Sequence, residues 1–136
     1  LSADRMKTIF HGHSYTANPI ACTAGLASLD LFIVPETDEN IKRIMARHRQ
    51  FAQQLKGHAR IKTVRQTGTI LAMEWETGED TSYFSSLRDR LYHYFLDAGI
   101  LLRPLGNIIY ILPPYCITDS QLDYIYGKIE EALGAL

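Results

Sequence analysis

Residues Ile20 to Phe32, "IACTAGLASLDLF", are apolar around most of a helical circumference and rich in small side chains, which predicts a helix buried on several sides. Asn18 ahead of it is a good N-cap, and Pro19 suits the first helical position, where its missing N–H costs nothing. Pro35 ends that segment. A second helix is predicted from about Asp38 to Lys56, with Ile41, Ile44, Met45, His48, Phe51, Ala52 and Leu55 on one stripe and Gly57 as its stop. On that stripe His48 reads as a packing residue rather than a ligand.

The segment Thr69 to Trp75, "TILAMEW", is β-rich and predicts a central strand, while the polar stretch before it, "HARIKTVRQTG", is assigned no element. From Ser82 to Ala98 the residues Phe84, Leu87, Leu91, Tyr94, Phe95 and Ala98 recur at helical intervals, and Gly99 suits a left-handed cap. Two short strands, Ile100 to Arg103 and Ile108 to Leu112, are then expected to form a hairpin through the tight turn "PLGN". The final helix carries capping-box spacing at Thr118 and Gln121, with Leu122, Ile125, Tyr126, Ile129 and Leu133 as its apolar stripe.

From Glu36 onward this order makes an α+β unit, a small sheet covered by helices. Residues 1–35 do not fit that unit and are expected to be the tail of a larger preceding domain, with the boundary near Pro35. The small apolar residues of the first helix need a partner surface, and the chain opens without an initiator Met, so a piece of a longer protein is expected.

Composition narrows the classes. At 136 residues, 46% hydrophobic and 21% charged, the chain has the balance of a globular domain and needs no disulfide to be stable. Cys22 and Cys116 lie outside any metal spacing and are expected to be buried reduced thiols, which points to the cytoplasm. A formal net charge of -1 with scattered Lys and Arg argues against nucleic acid or an anionic membrane as partner. No signal peptide and no apolar run long enough to span a bilayer is evident.

Two stretches carry candidate chemistry. In "FHGHSYTANP" the pair His11 and His13 would share one face of an extended segment, but no third ligand stands at a metal spacing. Ser14 lacks the elbow and acid of a nucleophilic triad. An anion site fits the loop better, with Gly12 admitting close backbone approach, Ser14 offering a hydroxyl and a helix N-terminus nearby; a polar loop with a capped helix is the alternative. In "LLRPLGNIIYILPPY" Arg103 precedes a proline, so its backbone is held extended and its guanidinium suits a bidentate grip on a carboxylate. Within the expected hairpin Tyr110 would face Arg103, against the plainer reading of a surface Arg and a core Tyr.

Together the two stretches resemble the class III aminotransferases, pyridoxal-phosphate enzymes of fold type I, and within that class the biotin-synthesis branch. The family pattern His-Gly-(Pro/His)-(Ser/Thr)-(Phe/Tyr)-x-x-Asn-Pro-x-Ala-Cys is matched from His11 to Cys22, and Arg-Pro-x-Gly-x-x-Ile-Tyr-x-x-Pro-Pro-Tyr from Arg103 to Tyr115. The first motif identifies the class; the second narrows it to the branch. What the resemblance implies is a C-terminal small domain with a mostly antiparallel sheet, preceded in residues 1–35 by the tail of the large domain that binds pyridoxal 5'-phosphate. Ser14 then binds the cofactor phosphate of the neighbouring subunit in a homodimer, while Gly12 and His13 line the substrate pocket. Arg103 pairs with the substrate carboxylate, and Tyr110 lines the substrate site. His13 departs from the commoner proline.

In the family the Schiff-base lysine lies before this loop, and Lys7 in "ADRMKTIFHG" does not resemble its segment. No catalytic residue is therefore expected within the chain, and the piece alone is expected to be inactive. The implied reaction moves an amino group from S-adenosylmethionine to 8-amino-7-oxononanoate, giving 7,8-diaminononanoate. Two rivals stand beside it: another class III ω-aminotransferase of the ornithine or 4-aminobutyrate type, and an α+β binding module without chemistry.

Overall fold

A computed structural model of the chain describes residues 12, 14–77 and 86–135. The chain divides into two compact units, residues 1–35 and 36–136. In the first, a turn closed by the Asn18 N–H on the Tyr15 carbonyl (3.3 Å) leads into helix α1, Pro19–Phe32. The Asn18 Oδ1 accepts from the N–H groups of Ile20 (3.0 Å) and Ala21 (3.2 Å), so the expected cap forms. Within this unit α1 buries none of its residues; Ile20 and Ile33 are each 81% exposed. Burial on several sides is thus not supplied here, and Cys22 is exposed rather than buried.

Helix α2, Pro35–Gln54, begins at the boundary residue and runs into the second unit, starting ahead of the expected Asp38 and stopping short of Lys56. Proline's fixed φ begins a helix as readily as it ends one, and Glu36 and Asp38 place carboxylates at the positive end of the helix dipole. Ile44, His48 and Phe51 are its buried stripe.

Strand β1, Ile61–Thr67, forms where no element was expected, and joins strand β2, Ile70–Trp75, through the two-residue turn at Gly68 and Thr69. Its only aliphatic residues are Ile61 and Val64, and an irregularity between Ile61 and Thr63 shifts the register, so the period-two signal is weak. Such a strand suits the edge it occupies in the antiparallel order β1-β2-β3.

Strand β3, Ile108–Ile111, pairs with β2 in the register Leu71↔Ile111, Met73↔Ile109 and Glu74↔Ile108. The expected partner strand Ile100 to Arg103 does not form. Of the hairpin only the turn survives, with Leu105 and Ile108 exchanging hydrogen bonds of 2.8 and 3.0 Å around Gly106 at φ 62. The Leu102 N–H donates to the Ile100 carbonyl at 3.0 Å, a three-residue turn that takes the chain off the extended path a ladder needs. Tyr110 accordingly lies opposite Ala72, not in a ladder with Arg103.

Helix α3, Ser86–Asp97, ends as expected at Gly99, φ 73. The Gly99 N–H donates to Leu96 (2.9 Å) and the Ile100 N–H to Phe95 (2.8 Å), the two bonds of a Schellman cap. The first residues of the expected helix, Ser82 to Ser85 with Phe84, lie outside the described residues. Helix α4, Asp119–Ala135, closes the unit with the expected capping box: the Thr118 N–H donates to Gln121 Oε1 (2.9 Å) and the Gln121 N–H to Thr118 Oγ1 (3.3 Å). One face of the sheet, carrying Leu71, Met73, Trp75, Ile109 and Ile111, packs into a core with the buried stripes of α2, α3 and α4. The architecture is α+β, a small antiparallel sheet covered by helices.

Candidate functional site

Gly12 and Ser14 belong to the first unit and are exposed; His13 lies outside the described residues. A Cβ at Gly12 would meet nothing within 4 Å, so the backbone there is open to approach. Just beyond Ser14, Ala17 stands at φ 57, a left-handed conformation that costs an L-residue about 1–2 kcal/mol. Because Asn18 already takes the N–H groups of Ile20 and Ala21, the helix N-terminus contributes little to an anion site. That reading therefore rests on Ser14, whose exposed hydroxyl can donate to one phosphate oxygen.

Arg103 and Tyr110 belong to the second unit. Exposure alternates through the segment before β3: Leu101 is 79% exposed, Leu102 8%, Arg103 exposed, Pro104 buried and Leu105 44% exposed. Arg103 is thus exposed in company with Leu101 and Leu105, two residues to either side of it. The salt bridges of the described residues engage Arg43, Arg47 and Arg88 and leave Arg103 out. A cation between two apolar side chains is complementary to a carboxylate at the end of an aliphatic chain. Tyr110 is half-buried, on the sheet face opposite Ile109 and Ile111.

From Leu101 an open groove of ≈ 730 Å³ runs past Leu112, Pro114, Cys116 and Gln121 to Tyr124. Cys116, expected as a buried thiol, is exposed because it sits in the turn after the proline pair rather than in the core. The leucines beside Arg103 and the asparagine at Asn107 were not among the expected site residues. The alternation of Leu101, Arg103 and Leu105 was the available signal for the first, whereas Asn107 reads from sequence only as a turn former.

His48 is fully buried, as its place on the α2 stripe implied. Its Nε2 lies 3.1 Å from the Thr69 carbonyl, which can only accept, so Nε2 carries the proton. Nδ1 then accepts from the Tyr126 hydroxyl at 2.7 Å. Burial lowers the imidazole's pKa against the raising effect of the Thr69 bond, and burial pushes the Tyr126 hydroxyl up to about 12. Among the described residues no group of three or more His, Cys, Asp or Glu could hold a metal ion.

Residues 2–133 match the model of the family described as Aminotransferase class-III. The adenosylmethionine-8-amino-7-oxononanoate aminotransferase of Synechococcus elongatus is 36% identical over 126 residues, 93% of this chain and 29% of that protein. The protein of the same name from Methanocaldococcus jannaschii is 33% identical over 93% of this chain. A crystal structure of that archaeal enzyme superposes with a TM-score of 0.80 at 31% identity, covering 93% of this chain and 30% of its own. An ω-aminotransferase structure from Paracoccus denitrificans superposes with a TM-score of 0.79 at 26% identity, covering 95% of this chain and 30% of its own. The chain thus spans under a third of the length of the relatives it matches. With the family match running through both the Ser14 loop and the Arg103 segment, the chain belongs to the class III aminotransferases.

Proposed function

We propose that the chain is the C-terminal part of a pyridoxal-phosphate aminotransferase that moves an amino group from S-adenosylmethionine to 8-amino-7-oxononanoate in biotin synthesis. The observation that carries this reading is Arg103 standing exposed between Leu101 and Leu105. The acceptor is a long methylene chain ending in a carboxylate. Arg103 would take the carboxylate bidentately, and the two leucines would shield the methylenes next to it from water. Tyr110 would line the same pocket. In a homodimer Ser14 would donate its hydroxyl to the phosphate of the cofactor held by the other subunit, with Gly12 and His13 bordering the substrate. Pyridoxal phosphate, when bound, supplies the electron sink; these residues supply binding and orientation. The names of the relatives support the choice of substrates.

The test is product formation by the full-length protein with 8-amino-7-oxononanoate as acceptor and S-adenosylmethionine, ornithine or 4-aminobutyrate as donor. Diaminononanoate formed with S-adenosylmethionine is the expected result. Turnover only with another amine would move the protein to the ω-aminotransferase branch that the Paracoccus likeness also allows.

A further inference from the structure

We infer that Asn107 is a positioning residue for the substrate-carboxylate anchor: its buried amide ties the Leu105–Ile108 turn to the end of β2 and so fixes where Arg103 stands. This rests on the reading of Arg103 as that anchor. Asn107 is 3% exposed and lies opposite Trp75, one step beyond the Glu74↔Ile108 pair. The Trp75 N–H donates to the Asn107 carbonyl at 2.9 Å. In a regular antiparallel pair the return bond would come from the backbone N–H of Asn107. Here the side-chain Nδ2 donates to the Trp75 carbonyl at 2.7 Å instead. The ladder thereby gains one more pair while the backbone is released into the tight turn at Gly106.

Among the described residues Oδ1 of the same amide has no hydrogen-bond partner, and the polar contact the amide makes is its donation to Trp75. Behind the turn, Leu105 is held by its two bonds to Ile108, and Pro104 is buried. Proline has no N–H to bond back to β3, so Arg103 keeps its place through the packing of Pro104 and the anchorage of the turn. Loss of the Asn107 donor would let that turn shift and move the guanidinium with it.

The experiment uses the full-length holoenzyme with Asn107→Asp, which keeps the shape and removes the donor. Two acceptors are compared: 8-amino-7-oxononanoate and the same molecule with its carboxylate converted to a carboxamide. We expect kcat/KM for the carboxylate to fall roughly tenfold to a hundredfold, mainly through KM, with little change for the carboxamide. In an Arg103→Ala background the second substitution should then add nothing. Equal losses on both acceptors, or an undiminished loss without Arg103, would make Asn107 merely structural and overturn the inference. Should Asn107→Asp not fold, Asn107→Ser, with its shorter donor, is put through the same comparison. A single Arg103→Ala enzyme that still prefers the carboxylate would instead overturn the anchor reading itself.

Discussion

Protonating His48 would require one of its two hydrogen bonds to change, because Nε2 already donates to Thr69 and Nδ1 already accepts from Tyr126. The Tyr126 ring stacks on Phe51 at 4.2 Å and lies under the Arg47 guanidinium at 6.0 Å, and burial among these groups disfavours the charged imidazole. Asp119 and Asp123 on α4 are engaged by Arg43 and Arg47 and offer the imidazole no direct partner. The native pKa is lowered, so between it and the ordinary 6.5 the unfolded chain binds more protons than the folded one. The neutral imidazole's stabilisation is full above pH 6.5 and is lost as the pH falls toward the native value. Urea unfolding from pH 8 to 5 should show this loss with a slope of at most about 1.4 kcal/mol per pH unit. Subtracting the same profile for His48→Gln isolates it; a difference independent of pH would show that the ring titrates normally.

At the level of elements, legibility followed how much of the signal was local. The caps of α1, α3 and α4 were readable because each is written within a few residues: Asn18 with Pro19, Gly99, and Thr118 with Gln121. Strand β1 was not, since its polar edge residues earn their conformation from pairing with β2 rather than from their own pattern. The segment Ile100 to Arg103 misled for the opposite reason: its residues suit a strand, but the Leu102 turn bends it away while β3 pairs with β2. The residues proposed for the site came from motif resemblance, whereas the work of Asn107 depends on a partner 32 residues away. Two glycines test how much of this local logic is energetic. Neither Gly99 nor Gly127 would bring a Cβ within 4 Å of another atom, so substitution at each reads backbone conformation alone. Gly99→Ala, forced to φ 73, should destabilise the protein by about 1–2 kcal/mol, whereas Gly127→Ala, inside α4, should stabilise it by about 1 kcal/mol. Equal signs in urea titrations of the two variants would refute the argument.

For the whole molecule, every residue of the buried core among the described residues lies between Ile44 and Leu133, inside the second unit. The first unit contributes a capped helix and exposed apolar side chains, among them Leu26, Leu29 and Leu31 at 63–64% exposure. Burial of apolar surface is the main favourable term in folding, so stability should reside in residues 36–136 alone. Expressed without the first 35 residues, that unit should keep a single cooperative thermal transition close to that of the 136-residue chain. Its exposed apolar surface should fall at the same time, because the patch on α1 is gone. Sedimentation of both forms at matched concentration should therefore show less self-association for residues 36–136. A broad, non-cooperative melt of the shorter form would mean that α1 contributes to the folded core, and the two-unit account of stability would be wrong.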